Sequence, residues 1–312
     1  MSQHFAVSNI VHALGVMKVR PLKIISFVED NAEVLQAKAK PQALALISYA
    51  YAKMGVRAPR WFEALEKEDV VKFLVSEGDP QAIANTIWAI ATLGEKAGAL
   101  ARLINTKETS SKFAKRGKPQ EIANTIWAMA TLGEEAGVLA RLVNTEGMSS
   151  KFAKEGTPQA IANTIWAMAQ MKLDCPIFVA EISRGADRIM ANGNPHVISN
   201  IAYALADLGF FKRRVFDAVA RQAERIAKDG TEQALGNILW SFAVAGRMKE
   251  NEEAVKELWT EVNKRDKSRF LKAEWQQLKT VSLFAGCERV ELVTSEEVRC
   301  NKPGREELEF AF

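Results

Sequence analysis

A glutamine, an asparagine and a tryptophan recur three times with the same internal spacing, and each set lies 39 residues after the previous one. The three sets are Gln81, Asn85 and Trp88; Gln120, Asn124 and Trp127; and Gln159, Asn163 and Trp166. Side-chain amides can pair with base edges, and aromatic rings can stack on bases. The chemistry that this pattern offers is therefore recognition of a ligand and not the making or breaking of bonds.

The sequence offers no comparable set of residues for catalysis. His4, His12 and His196 are its three histidines, and none lies near a cysteine or carboxylate at the spacing of a metal site. Neither a Gly-x-x-x-x-Gly-Lys phosphate loop nor a Gly-x-Gly-x-x-Gly turn occurs. We therefore expect the protein not to be an enzyme and to use no cofactor.

The charge balance permits nucleic-acid binding without requiring it. The 312 residues include 42 Lys and Arg and 38 Asp and Glu, a formal net charge of +4. The segment after Cys287 holds seven acids and four bases, so it carries −3 and the rest of the chain +7. Three scattered cysteines suit a reducing compartment, and no stretch approaches the ~20 apolar residues of a membrane span.

The recurring residues belong to a longer repeat. Segments that start at residues 80, 119 and 158 nearly coincide, and weaker copies start near residues 4, 41, 195, 232 and 272, with a mean spacing of about 38 residues. Repeats of this length form stacks in which each copy contacts its neighbours. We predict an all-α solenoid of about eight two-helix repeats over residues 1–286, followed by a short acidic tail at 287–312.

Each copy begins with residues that favour a helix, here called the first helix of the copy. Four polar residues can cap its start, and five glycines can end it in the left-handed conformation. The caps are Asp79, Thr157, Asn194 and Thr231, and the glycines are Gly55, Gly94, Gly133, Gly209 and Gly246. The apolar spacing predicts an unbroken second helix over 177–191 and 213–228, and breaks near residues 105–106 and 144–145 in the central copies.

The first helix can be placed at 100° per residue. Ile83, Ile87 and Ile90 then share the side that should pack on the second helices. Gln81, Asn85, Trp88 and Thr92 point away from it, and stacking should turn them into four columns that line one inner groove. The predicted RNA-binding residues are Gln81, Asn85, Thr92, Gln120, Asn124, Thr131, Gln159, Asn163, Gln170, His196, Asn200, Asp207, Gln233 and Asn237, and the possible stacking residues are Trp88, Trp127, Trp166, Tyr203 and Trp240.

Each column also has a structural interpretation. A repeated asparagine can form a hydrogen-bond ladder between helices, and a repeated tryptophan can pack against its neighbours. The column of Thr92 varies most between copies, so it is the better candidate for reading sequence, although plain solvent exposure explains it as well. Lys112, Lys115, Arg116, Lys151, Lys154, Arg213, Arg214, Arg221 and Arg225 are a possible phosphate track, on helices that usually face outward.

The string that runs from Pro80 to Gly94, and its copies at Pro119 and Pro158, resembles the octotricopeptide repeat. The resemblance is most specific over residues 80–172 and extends over most of residues 4–286. Members of that family occur in algal and protist organelles, bind RNA, and act in transcript maturation, stability or translation. They are related to the helical arrays beside FAST-kinase-like and RAP domains, and no RAP domain is expected in the 26 residues after Gly286.

The resemblance implies single-stranded RNA as the partner and a mitochondrion or plastid as the location. The alternative is a protein-interaction scaffold or a structural subunit of a large organellar complex, such as a mitochondrial ribosome. The near-neutral charge favours that alternative, because similar helical stacks bind peptides on the same surface.

Overall fold

The computed structural model describes residues 3–285, and the side chains of residues 7–282. This part of the chain consists of helices joined by short connections, and it contains no β-strand. The chain divides into two compact units, Met1–Glu181 and Ile182–Phe312. The predicted acidic tail at 287–312 lies outside the described residues. Among residues 3–285, none of the helices has both the length and the apolar character needed to cross a bilayer.

The helices are numbered in chain order. Those that begin in the first unit are α1 (Gln3–Val16), α2 (Leu22–Asp30), α3 (Ala32–Lys38), α4 (Pro41–Met54), α5 (Pro59–Leu65), α6 (Glu68–Glu77), α7 (Pro80–Leu93), α8 (Gly98–Ile104), α9 (Lys107–Arg116), α10 (Pro119–Thr131), α11 (Gly137–Val143), α12 (Glu146–Glu155), α13 (Pro158–Gln170) and α14 (Pro176–Arg184). Those of the second unit are α15 (Ala186–Asn192), α16 (Pro195–Asp207), α17 (Arg213–Ala220), α18 (Ala223–Asp229), α19 (Glu232–Val244), α20 (Glu252–Lys264) and α21 (Lys272–Ala285), with a short 3-10 turn at Lys267–Arg269.

The first helices of consecutive copies pack on one another within each unit. In the first unit α1 packs on α4, α4 on α7, α7 on α10 and α10 on α13. In the second unit α16 packs on α19 and α19 on α21. The prediction of an all-helical chain built from helical repeats is therefore confirmed.

The predicted ends of the first helices are confirmed. The side chains of Asp79, Thr157, Asn194 and Thr231 each accept a hydrogen bond from the backbone N–H three residues later. The five glycines that follow the first helices have φ between 60° and 77°, where a side chain would be strained. Proline at the first helical position in five of the copies loses no needed donor.

The prediction of an unbroken second helix in residues 177–191 and 213–228 is wrong. The first stretch breaks at Gly185, between α14 and α15, and the second breaks at Arg221 and Gln222, between α17 and α18. The predicted breaks near residues 105–106 and 144–145 are confirmed. The first six copies thus have three helices each. The apolar spacing did not reveal the later breaks because the short helices on both sides bury the same face, as Val219 and Ala223 show.

The first helices bury the side that the sequence assigned to the core. Ile83, Ile87 and Ile90 are fully buried. Thr86, Thr125 and Thr164 are also buried, and each hydroxyl donates to the carbonyl oxygen four residues earlier, at 2.8 Å. A small residue whose hydroxyl is satisfied within its own helix allows the neighbouring backbone to approach closely.

First helices approach each other closely at Gly15 of α1. A Cβ atom added there would lie 2.6 Å from the Cα atom of Ala50 in α4. That distance is too short for any side chain, and the obstacle is backbone. Gly15 is therefore required for the packing of α1 on α4.

We predict that Gly15→Ala lowers the free energy of unfolding by about 1–3 kcal/mol, the usual cost of overpacking. Gly98→Ala is the matched control, because a Cβ atom at Gly98 meets nothing within 4 Å. The control should leave the stability unchanged or raise it by about 0.5–1 kcal/mol. Urea titration followed by circular dichroism measures both variants. Equal stability of the two would show that α1 does not approach α4 as closely as described.

Candidate nucleic-acid interface

The predicted binding face is present in the first unit as four neighbouring columns. We call them the glutamine, asparagine, aromatic and variable columns. In this unit they are, respectively, Gln42, Gln81, Gln120 and Gln159; Asn9, Leu46, Asn85, Asn124 and Asn163; His12, Tyr49, Trp88, Trp127 and Trp166; and Val16, Lys53, Thr92, Thr131 and Gln170. Their helices α1, α4, α7, α10 and α13 lie side by side in that order. The columns thus form a single surface of this unit.

The glutamine and asparagine columns are joined by hydrogen bonds within the helices. Gln120 Nε2 donates to Asn124 Oδ1 at 2.8 Å, and Gln159 Nε2 donates to Asn163 Oδ1 at 2.7 Å. Each such pair leaves the glutamine oxygen as an acceptor and the asparagine NH₂ as a donor on the half-exposed surface. Thr157 Oγ donates to Gln120 Oε1 at 3.0 Å, which connects α13 to α10. An acceptor beside a donor can match a base edge or a peptide group.

The aromatic column packs on itself. The ring centroids of His12 and Tyr49 are 5.9 Å apart, those of Tyr49 and Trp88 are 5.3 Å apart, and those of Trp127 and Trp166 are 6.4 Å apart. These separations are those of aromatic pairs in contact, so no base fits between these neighbouring rings. Trp88 and Trp127 are half-buried and Trp166 is buried. Packing is therefore one role of this column, and stacking on a ligand is limited to the outer edge of the row.

The variable column is the most exposed of the four in this unit. Lys53, Thr92, Thr131 and Gln170 are all exposed. The hydroxyls of Thr92 and Thr131 donate to the carbonyl oxygens of Trp88 and Trp127, at 2.8 and 2.9 Å. The Lys53 ammonium lies 5.4 Å from the ring centres of both Tyr49 and Trp88. The outer edge of the aromatic row therefore already accommodates a cation.

The second unit has the same columns, but its asparagine column is more deeply buried than that of the first unit. Asn200 and Asn237 are buried, at 6% and 5% exposure. Asn200 Nδ2 lies 3.2 Å from His196 Nε2, and Asn237 Oδ1 accepts from Gln277 Nε2 at 3.0 Å. The second contact joins α21 to α19, so here the asparagine is part of a hydrogen-bond ladder between helices. Neither Asn200 nor Asn237 can reach a ligand without rearrangement.

The remaining columns of the second unit stay accessible. His196, Gln233, Tyr203 and Trp240 are half-buried and Asp207 is exposed. The rings of Tyr203 and Trp240 are in contact, with centroids 4.8 Å apart. Burial lowers the pKa of His196, so the imidazole is neutral at neutral pH. Burial, and then the nearby charge of Asp207, raises the pKa of Tyr203, so that its hydroxyl keeps its proton.

The candidate face carries few charges. Among the described side chains of the four columns, Lys53 and Asp207 are the two that are charged at neutral pH. This face therefore does not have enough cations to neutralise many phosphates of a nucleic acid. A ligand must be held mainly through hydrogen bonds and apolar contact.

Several residues of the predicted phosphate track are used inside the fold. Lys112 Nζ donates to the carbonyl oxygens of Val75, Ser76 and Gly78 at 2.5, 2.7 and 3.0 Å. Lys151 Nζ donates to the carbonyl oxygen of Gly117 at 2.9 Å. In the second unit Arg225 donates to Met190 O at 2.7 Å. Arg265, which is not part of the predicted track, donates in the same way to Gly230 O at 2.8 Å. Each of these cations satisfies carbonyls at the C-terminal end of a helix in the preceding copy.

The rest of that predicted track is divided between ion pairs and free surface. Arg213 pairs with Asp217, and Arg214 and Arg221 both pair with Asp187. Lys115, Arg116 and Lys154 are exposed. A continuous row of phosphate-binding cations is therefore not formed by the residues that the sequence suggested.

A second recurring contact was missed from the sequence. Glu29 accepts from the N–H groups of Arg60 and Trp61, and Glu66 accepts from those of Ala99 and Leu100. Asn105 and Asn144 repeat the contact with Val138, Ile177 and Phe178. Each acceptor caps the start of the second helix in the following copy. Burial raises the pKa of both glutamates, and the backbone hydrogen bonds act in the opposite direction.

We predict that Lys112→Ala lowers the free energy of unfolding by about 1.5–3 kcal/mol, because it leaves three carbonyls without their charged donor. Lys115→Ala, in the same helix but exposed, should change the stability by less than about 0.5 kcal/mol. Thermal unfolding followed by calorimetry compares the two variants. If Lys112→Ala is as neutral as Lys115→Ala, the cap does not contribute to stability, and Lys112 is free for other roles.

Comparison of the chain with models of known protein families gives no match, and a search of curated proteins gives none either. The assignment of a function therefore depends on the geometry and chemistry of the columns themselves.

Proposed function

We propose that the protein binds single-stranded RNA along the columns of its first helices. In this proposal residues 1–286 form an α-solenoid of about eight repeats of ~38 residues, and the protein belongs among organellar octotricopeptide-repeat proteins. Its role is in RNA processing, stability or translation in a mitochondrion or plastid. It acts as a binding protein and not as an enzyme.

The observation that carries the proposal is the combination of columns in the first unit. The exposed side chains of the variable column, Thr92, Thr131 and Gln170, each lie one turn after the tryptophan of the same helix, and these helices are neighbours. The paired amides of the glutamine and asparagine columns add a donor and an acceptor in the copies that start at residues 119 and 158. A helical repeat that offers two or three side chains to one base is an established way to read RNA.

Burial and exposure support a smaller set of proposed contacts. In the proposal, the glutamine and variable columns contact bases together with Asn85, Asn124 and Asn163. Trp88, Trp127, Tyr203 and Trp240 contribute their outer edges. Asn200, Asn237 and Trp166 are assigned to packing because they are buried.

A second candidate is a protein partner, with the chain serving as a scaffold or as a subunit of a large organellar complex. The position of Lys53 over Tyr49 and Trp88 favours it, because a partner's lysine or arginine could occupy equivalent places along the row. The scarcity of cations in the four columns also favours it. An extended peptide, like RNA, can use the donor and acceptor of each amide pair.

Salt dependence separates these candidates. We predict that the purified chain retains a labelled single-stranded RNA at low salt. The logarithm of the binding constant should fall linearly with the logarithm of the salt concentration, with a slope of about −0.7 per phosphate neutralised. Lys53→Ala should make that slope shallower by about 0.7, and the exposed Lys115→Ala should leave it unchanged. Fluorescence anisotropy at several salt concentrations measures both. No retention of RNA at low salt, with binding of a lysine-containing peptide instead, would favour the protein partner.

The variable column can be tested by giving one copy the residue of its neighbours. We predict that Gln170→Thr changes the preferred base at one position of the RNA, with a relative affinity change on the order of tenfold. The exposed Glu155→Gln, on α12, is the control and should leave the preference unaltered. Selection from a random RNA pool reads out the preference, and circular dichroism confirms the fold. A uniform loss of affinity with the same preferred sequence would exclude Gln170 as a reading residue.

A further inference from the structure

The first copy exposes an apolar surface that the second copy buries. The copies that start at residues 4 and 41 are 37 residues apart, so Ile10, Met17 and Phe27 correspond to Ile47, Met54 and Ala64. The first three are 51–63% exposed, and the second three are at most 5% exposed. Seven of the eleven exposed large hydrophobic residues in the described part of the chain lie between residues 10 and 34. The apolar surface is therefore concentrated at this end of the first unit.

The difference in burial comes from packing between copies. Ala50, the equivalent of Ala13, is fully buried, and it faces Gly15 on the preceding first helix. Ala13 is exposed on α1. We call Ile10, Ala13, Met17 and Phe27 the end face. In each later copy of the first unit, the equivalent surface packs against the preceding copy.

The charge around the end face is positive. Residues 1–28 contain Lys18, Arg20 and Lys23 and no aspartate or glutamate. Arg20 donates to the carbonyl oxygen of Met54 in the second copy at 2.7 Å, which leaves Lys18 and Lys23 for the end face. Lys18 and Lys23 are exposed. Lys23 corresponds to Arg60, which pairs with Asp30 of the preceding copy at 2.7 Å. An occupant of the end face should therefore bring both apolar side chains and carboxylates.

We propose that the end face docks the acidic C-terminal segment, residues 288–312, of a second copy of this chain. That segment carries −3 and contains apolar groups at Val290, Leu292, Val293, Leu308, Phe310 and Phe312. It lies outside the described residues, and its sequence supplies the charge and the apolar side chains that the end face requires. Pairing of two end faces is less favourable, because each has the exposed cations Lys18 and Lys23 beside it.

The proposed docking between molecules has the same order as the packing of consecutive copies within one chain. Inside the first unit each end-face position is covered by the copy that precedes it in sequence. Docking the C-terminal segment of one molecule on α1 of the next continues that order from one molecule to another. Such a contact is heterologous, because it joins two different surfaces, so repeated docking can build assemblies larger than a dimer. The inference does not depend on RNA binding.

The test uses the full 312-residue chain at increasing concentration, with equal parts of unlabelled and ¹⁵N-labelled protein. A carbodiimide, which joins a lysine amine directly to a carboxylate, should link Lys18 or Lys23 to Glu306, Glu307 or Glu309. The expected crosslinked peptides include pairs in which one peptide is labelled and the other is not. Pairs that are only of like label would place the segment on its own chain and overturn the proposal.

Two variants separate docking from other self-association. Phe27→Asp, and the double change Phe310→Ser with Phe312→Ser, should each weaken association at least tenfold in sedimentation velocity. Phe73→Asp is the control, because Phe73 on α6 is also exposed, at 40% against 51% for Phe27, and it should leave association unchanged. Loss of association in Phe27→Asp with none in the double variant would indicate pairing of end faces and overturn the proposal. A monomer at every concentration would overturn it as well.

Discussion

The close packing of each first helix on the next is the constraint on which the rest of the structure depends. Small residues occupy this contact: Gly15 meets Ala50 with no room for a side chain, and Thr86, Thr125 and Thr164 are buried with their hydroxyls satisfied in their own helices. Because the helices approach this closely, equivalent side chains of neighbouring copies come into contact. The aromatic row is a direct consequence, and so is the alignment of the other three columns.

A second set of contacts fixes the outer helices in relation to the copy before or after them. A lysine or arginine satisfies the carbonyls at the end of a helix in the preceding copy, and a glutamate or asparagine caps a helix start in the following copy. Helix ends leave backbone groups without partners, and short helices have a large share of such ends. Dividing the second helix in two adds helix ends, and the neighbouring copies supply part of their capping. This couples adjacent copies and removes cations that would otherwise be free for phosphates.

The sequence predicted the features that local chemistry decides. Asp79 and Thr157 cap helices as their types suggest, Gly94 and Gly133 end them, and Ile83 and Ile87 face the core because their spacing matches a helix. It did not reveal the break at Gln222, because the buried face continues across it. Nor could it show that Lys112 is a cap and not a phosphate ligand. That role depends on three carbonyls that lie 34–37 residues away in sequence. The burial of Asn200 and Asn237, against the accessibility of Asn85, is likewise set by the neighbouring helices and not by residue type.

The central claim is that the columns of the first helices hold single-stranded RNA. Ultraviolet crosslinking in native extract, followed by mass spectrometry of the attached peptides, tests it most directly. The account predicts nucleotides attached to peptides from α7, α10 and α13, on residues of the glutamine, aromatic or variable columns. Crosslinks confined to the outer helices, or to protein partners with no nucleotide on these three helices, would contradict it.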